Sequence, residues 1–158
     1  MGNPFRRDWE TDIYPVRPPM TIDMDREYGA AVITNHGSMV FHLLPAEAPM
    51  AVNSFVFLAR ERFYDGLWFH RIIQGFLIQG GDPTGRGSGG TGYTFPDEPV
   101  TRDYVRGTLA MANARPHGNS SQFFVIHQDA HLPRRYTIFG SLQEGFDVLD
   151  RLAAISRS

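Results

Sequence analysis

The chain of 158 residues contains no cysteine and no lysine. Without cysteine there is no disulfide, no thiolate nucleophile and no thiolate-bound metal. All 15 basic residues are arginine, so Schiff-base chemistry and a phosphate-binding lysine are excluded as well. GC-rich codon usage in the source genome accounts for the missing lysine better than any functional reason. Long apolar runs are also lacking, and none approaches membrane-spanning length. The N-terminus, Met1-Gly2-Asn3-Pro4-Phe5-Arg6-Arg7-Asp8, lacks the apolar stretch of a signal peptide. A cytoplasmic location is therefore the default expectation. Basic residues form only short Arg pairs in a chain of net charge −2, which argues against a nucleic-acid partner. A hydrophobic content of 42% over this length fits one domain with a real core.

Residues 1–20 hold Pro4, Pro15, Pro18 and Pro19 among Phe5, Trp9 and Tyr14, so they read as an arm rather than a helix or central strand. The domain proper spans 21–158. Tyr28 to Thr34 and Met39 to Leu44 read as a hairpin around Asn35-His36-Gly37-Ser38. Pro49 suits the first turn of a helix whose apolar stripe is Val52, Phe55, Val56 and Ala59. Gly80 to Gly92 is a long loop. Further strands are expected over Gly107–Ala112, Gln122–Ile126 and Tyr136–Ser141, and a second helix over Glu144–Ala153 with Phe146, Leu149 and Ala153 on one side. Many short strands with two helices predict a closed antiparallel barrel.

The most informative stretch is Phe69-His70-Arg71-Ile72-Ile73-Gln74-Gly75-Phe76-Leu77-Ile78-Gln79-Gly80-Gly81-Asp82-Pro83-Thr84. It reads as two extended segments broken at Gly75. Alternate side chains of a strand share a face, so Arg71 and Gln79 can stand beside the apolar wall of a pocket. A fixed cation next to an apolar pocket suits a substrate with a greasy ring and a polar backbone. A second segment runs Leu109-Ala110-Met111-Ala112-Asn113-Ala114-Arg115-Pro116, then Ser120-Ser121-Gln122-Phe123-Phe124-Val125-Ile126.

Together these segments resemble the cyclophilin family of peptidyl-prolyl cis-trans isomerases. The resemblance runs over roughly residues 21–155. It includes Ala48 to Phe55, Phe63-Tyr64-Asp65-Gly66, Phe139-Gly140 and Glu144 to Val148. It implies a mainly β fold, an eight-stranded antiparallel barrel capped by two α-helices, with the binding groove on the outside of the barrel. It also implies an activity that needs no metal and no cofactor, on proline-containing peptides and unfolded proteins. Arg71 matches the catalytic arginine and Gln79 the glutamine that positions it. Phe76, Leu77, Phe124 and Leu132 match the walls of the proline pocket. Ala112, Asn113 and Gln122 match groove positions that hold substrate backbone, and Tyr136 stands where many members have His.

The chain departs from the family at three points. His131 stands at the pocket rim where many members have Trp, whose indole helps hold cyclosporin, so weak cyclosporin binding is expected. Arg115 replaces a common Gly. The sequence stops at Ser158, before the strand that usually completes the barrel, which leaves an edge near Tyr28–Thr34. The arm is expected to cover that edge with Trp9, Ile13 and Tyr14, leaving a monomer. His127 and His131 have the spacing of a helical zinc pair, but they sit in a strand context with Pro133 close behind. The loop Gly85 to Gly92 lacks the ending of a phosphate cradle and reads as a structural or rim loop. A proline-peptide binding module with weak turnover remains the alternative to an enzyme. Retention of both Arg71 and Gln79 favours the enzyme.

Overall fold

The β-branched and small residues of Tyr28–Thr34 (β1) turn through Asn35-His36 into Gly37–Leu43 (β2). The register pairs Thr34 with Gly37 and Tyr28 with Leu43. In this computed structural model, which describes residues 13–155, the hairpin opens a mainly antiparallel β fold. The elements that follow are α1 (Pro49–Arg60), β3 (Arg71–Ile73), β4 (Leu77–Gly80), β5 (Thr108–Met111), β6 (Phe123–Ile126), β7 (Ile138–Glu144) and α2 (Phe146–Ala153).

The seven described strands form one sheet in the order β1-β2-β7-β5-β6-β4-β3. The eighth strand of a closed barrel is absent among the described residues, as anticipated for the last strand. β1 and β3 are therefore the two edges. Between them lies a groove of ≈ 1200 Å³ lined by Tyr28, Val32, Phe55, Phe69, Ile72 and Phe123. Unpaired edges of this kind are templates for further strand pairing.

The central strands are buried on both faces, and their two-residue period sorts side chains into two clusters. Ile78, Leu109, Met111, Phe123 and Val125 point into the main core with Phe41, Phe55, Phe139 and Leu149. Leu77, Ala110, Phe124 and Ile126 point the other way, into a smaller cluster with Tyr104 and Ile138.

Helix α1 begins at Pro49, but its cap comes from far along the chain. Ala48 offers no side-chain bond. Instead Glu98 accepts from the N–H groups of Met50 and Ala51, both at 2.9 Å. This satisfies two donors that a helix start leaves open. The buried stripe of α1 is Ala51, Val52, Phe55 and Leu58 rather than one ending at Ala59, which is exposed. The second helix starts later than expected. Gly145, at φ 97°, breaks β7 from α2, and its Cα lies too close to Ser38 and Met39 to carry a side chain. Phe146 is therefore not a core residue. It stays partly exposed under the Arg106 guanidinium, 5.3 Å from its ring centre, while Val148, Leu149, Leu152 and Ala153 are buried.

The described part of the arm, residues 13–20, is not where the sequence placed it. Trp9 lies outside the described residues. Tyr14 is fully buried against Phe57, Phe63 and Tyr93, on the far end of α1. Its N–H donates to Thr91 O at 2.7 Å, and Arg17 donates to Thr94 O. Asn53 on α1 accepts from the N–H groups of Thr21 and Ile22 and donates to Pro19 O. Residues 13–22 thus strap α1 to the 91–94 segment and leave the β1 edge uncovered. Aromatic partners around α1 offered Tyr14 a closed pocket, which a flat strand edge does not.

Tyr14→Ala should release this strap. We expect a loss of up to about 3 kcal/mol, the lower end for emptying a buried aromatic site, seen as a lower melting temperature. Amide exchange over 13–22 should accelerate. An unchanged melting temperature would show that Tyr14 contributes no net stability.

Candidate functional site

The outer face of β3, β4, β6 and β5 forms the floor of a cleft of ≈ 580 Å³. Arg71 and Gln79 are direct register partners across β3 and β4, so the face-sharing read from sequence holds. Gln79 pairs in turn with Phe124 on β6, and Phe124 with Ala110 on β5. The cleft lining includes Arg71, Phe76, Leu77, Gln79, Ala112, Asn113, Gln122, Phe124, Leu132 and Tyr136. Of the residues singled out in the sequence, only His131 lies outside it. His131 is exposed, one residue before Leu132.

Arg71 is held by a chain of amides. Its Nη1 lies 3.5 Å from Gln79 Oε1. Gln79 Nε2 donates to Gln122 Oε1 at 3.0 Å. Gln122 Nε2 donates to the carbonyls of Gly87 and Gly89, both at 3.0 Å. Each amide therefore has a defined orientation, and Gln79 is left with its oxygen facing the guanidinium. The remaining donors of Arg71 are open to the cleft.

Beside this cation stands an apolar wall. Leu77 and Phe124 are almost fully buried at its base. Tyr136 meets Phe124 edge-to-face at 5.7 Å. Tyr104 lies behind both, its hydroxyl donating to Tyr136 O at 2.7 Å and accepting from Tyr136 N–H. Nothing in the sequence around Tyr104 signalled this supporting role. Asn113 lines the cleft while its side chain bonds to the protein. Its Nδ2 donates to Asp97 and Asn119, and its Oδ1 accepts from Arg135 at 2.8 Å. Both Nδ2 hydrogens are thus used within the protein, while Oδ1 retains one acceptor site.

His127 is not free for a metal. Its Nδ1 accepts from Gly75 N–H at 2.9 Å. Its Nε2 therefore carries the proton and donates to Asp150 Oδ1 at 2.9 Å. Arg106 grips the same carboxylate with two nitrogens. Hydrogen bonds from Arg106 and His127 hold the Asp150 carboxyl below its ordinary pKa. This network ties α2 and β6 to the Gly75 turn that presents Phe76.

The glycine-rich segment is the rim of the cleft, where Gly87 to Gly90 line it. It is built around one carboxylate. Asp82 is fully buried and accepts from Thr84 N–H and Oγ1, Arg86 N–H and Gly87 N–H. A side chain at Gly89 would collide with Asp82 Oδ1. Burial pushes the Asp82 carboxyl up, but the donors of Thr84, Gly89 and Gly87 outweigh it and hold it below the usual range.

The comparisons with known proteins agree with this geometry. Residues 30–158 match the model of the cyclophilin-type peptidyl-prolyl cis-trans isomerase family. The chain belongs to the cyclophilin family. A Streptomyces anulatus peptidyl-prolyl cis-trans isomerase B is 42% identical over 83% of this chain and 86% of its own length. A Mycobacterium tuberculosis protein described as a probable peptidyl-prolyl cis-trans isomerase B is 40% identical over 89% of this chain. This cyclophilin spans only 52% of that relative's length. It spans 36% of a Streptococcus pyogenes relative described as a bifunctional phosphatase/peptidyl-prolyl cis-trans isomerase. A crystal structure of a Cryptosporidium parvum cyclophilin-type isomerase superposes with a TM-score of 0.80 at 38% identity, covering 84% of this chain and 88% of that one. A second crystal structure of that protein was determined in the presence of the dipeptide Ala-Pro.

The pKa shift at Asp82 has a defined sign. A folded pKa below the unfolded value of about 3.9 means that the charged form stabilises the fold above that pH. The contribution is lost as pH falls through the folded pKa. Asp82→Asn should therefore cost about 1–3 kcal/mol at neutral pH in denaturant titrations. The gap from the native chain should narrow below about pH 4, near that unfolded value. A gap that widens in acid would contradict the assignment.

Proposed function

We propose that this cyclophilin is a peptidyl-prolyl cis-trans isomerase. It acts on X–Pro bonds of flexible or unfolded polypeptides and assists their folding. The observation that supports it best is Arg71, oriented by Gln79 beside the apolar wall of Leu77, Phe124 and Tyr136.

Rotation about an X–Pro bond must break amide resonance, at a barrier of about 18–20 kcal/mol. Left alone it takes tens to hundreds of seconds. Bringing that to milliseconds needs about five powers of ten, or ~7 kcal/mol. In this reading the apolar wall holds the proline ring, and the peptide backbone lies over Ala112, Asn113 and Gln122. As the amide twists, the prolyl nitrogen regains its lone pair and becomes a better acceptor. Arg71 donates there, so it binds the twisted state more strongly than the planar one, which is what lowers a barrier. Its planar fork can reach nitrogen and carbonyl oxygen together. Gln79 and Gln122 keep the fork pointed into the cleft, so little reorganisation is needed when the lone pair forms. No bond is made or cleaved, so the step requires no nucleophile.

Arg71→Ala should lose about 100-fold or more in kcat/KM, as for removal of one transition-state donor. Circular dichroism should be unchanged, because the guanidinium supports no buried group. Arg71→Lys should be nearly as poor, since a point charge cannot present the fork. Near-normal turnover in folded Arg71→Ala, measured by exchange spectroscopy on a proline peptide, would overturn the mechanism.

His131 lies outside the cleft lining, so it offers little to a bulky macrocycle seated in the groove. Cyclosporin should inhibit weakly, and His131→Trp should tighten it by adding a broad apolar face and an indole donor. Calorimetry showing strong binding to the native chain, unchanged in the variant, would refute this.

A further inference from the structure

The cleft is several times larger than a proline ring, and its two ends differ chemically. One end is the apolar wall. The other is built from Gly87 to Gly90, Ala114, Arg115, Gly118 and Ser120. The lining carries two arginines, Arg71 and Arg115, and among the described residues no aspartate or glutamate. Arg71 gives one nitrogen to Gln79 beside the apolar wall. Among the described residues the Arg115 guanidinium has no ion pair or hydrogen bond, and the residue is exposed.

Its base is nevertheless rigid. Gly118 N–H donates to Arg115 O at 3.2 Å, closing a turn. His117 sits in that turn at φ 58°, clamped by two bonds to Asp97. The side chain then folds back over Gly118. A Cβ there would meet Arg115 Cγ at 3.0 Å and Nε at 3.5 Å. The bare glycine leaves room for this stem, and Arg115 lines the cleft while staying open to solvent. The acid near this turn is Asp97, whose oxygens already accept from Asn113, Asn119 and His117. It leaves Arg115 unneutralised.

We propose that Arg115 is a specificity-determining residue, and that it selects X–Pro sites with an aspartate or glutamate close to the proline in sequence. The inference rests on the isomerase reading above. A peptide with its proline ring on the Phe124 wall must lay a neighbouring residue across Gln122 towards Arg115. A carboxylate there meets a pre-positioned guanidinium, whereas a lysine or arginine meets like charge. The pair is solvent-exposed, so its effect is modest and falls with salt.

The test uses one proline peptide series, with Glu, Ala or Lys at each position flanking the X–Pro bond. Isomerisation and Kd are read together by NMR exchange and chemical-shift titration. At low salt the native chain should favour the Glu peptide over the Lys peptide by about 5-fold in kcat/KM at one flanking position, the scale of an exposed ion pair. The ratio should fall in 0.5 M salt. In Arg115→Ala it should approach one, and in Arg115→Glu it should invert. Equal rates for all three peptides in the native chain would overturn the proposal, as would a preference undiminished in Arg115→Ala. If no peptide turned over, the isomerase reading would fall, and the Kd values would still decide whether Arg115 selects charge.

Discussion

The structure depends on the two-residue period of three central strands whose faces are both buried. In β4, β6 and β5, Ile78, Phe123, Val125, Leu109 and Met111 fill the barrel core. Their immediate neighbours Leu77, Phe124 and Ala110 build the outer wall. The cleft is thus the reverse side of the core. A one-residue slip of β6 against β4 would exchange the two faces of β6, turning Gln122 toward the core and Phe123 and Val125 outward. Packing therefore fixes the site geometry indirectly. The side chains that exclude water inside the barrel set the register that places Arg71 opposite Gln79.

On this frame, polar side chains do the orienting. The relay from Arg71 through Gln79 and Gln122 to the carbonyls of Gly87 and Gly89 joins strand to loop. The loop can receive it because Asp82 gathers the N–H groups of Thr84, Arg86 and Gly87. Charge is thus used in two ways. Asp82 and Glu98 are consumed by backbone donors and organise structure. Arg71 and Arg115 keep unused donors toward the cleft. A groove with cations at its polar end and an aromatic wall at the other matches a polar backbone carrying one apolar ring.

Much of this was legible in the residue order. The hairpin, both helices and the central strands follow from alternation, turn residues and the helical apolar stripe. The resemblance placed ten residues that the structure brings to one cleft. Other features left no local trace. Tyr14 reads as an arm residue, yet three rings around α1 close over it. Asn113 reads as a groove residue and lines the cleft, but its bonds to Asp97, Asn119 and Arg135 carry no sequence signal. Tyr104 and Glu98 carry no pattern, because their partners lie 32 and 47 to 48 positions away.

Sequence alone determined the class of fold, the two-faced strands and the pairing of a cation with an apolar wall. Those depend on periodicity and residue type, which act between near neighbours. Tertiary structure decided where Tyr14 docks, what caps α1, which amide oxygen faces Arg71 and which arginines line the cleft. Each of those is a competition for one hydrogen-bonding group or one patch of apolar surface among segments distant in sequence. Only the folded chain brings the competitors within reach.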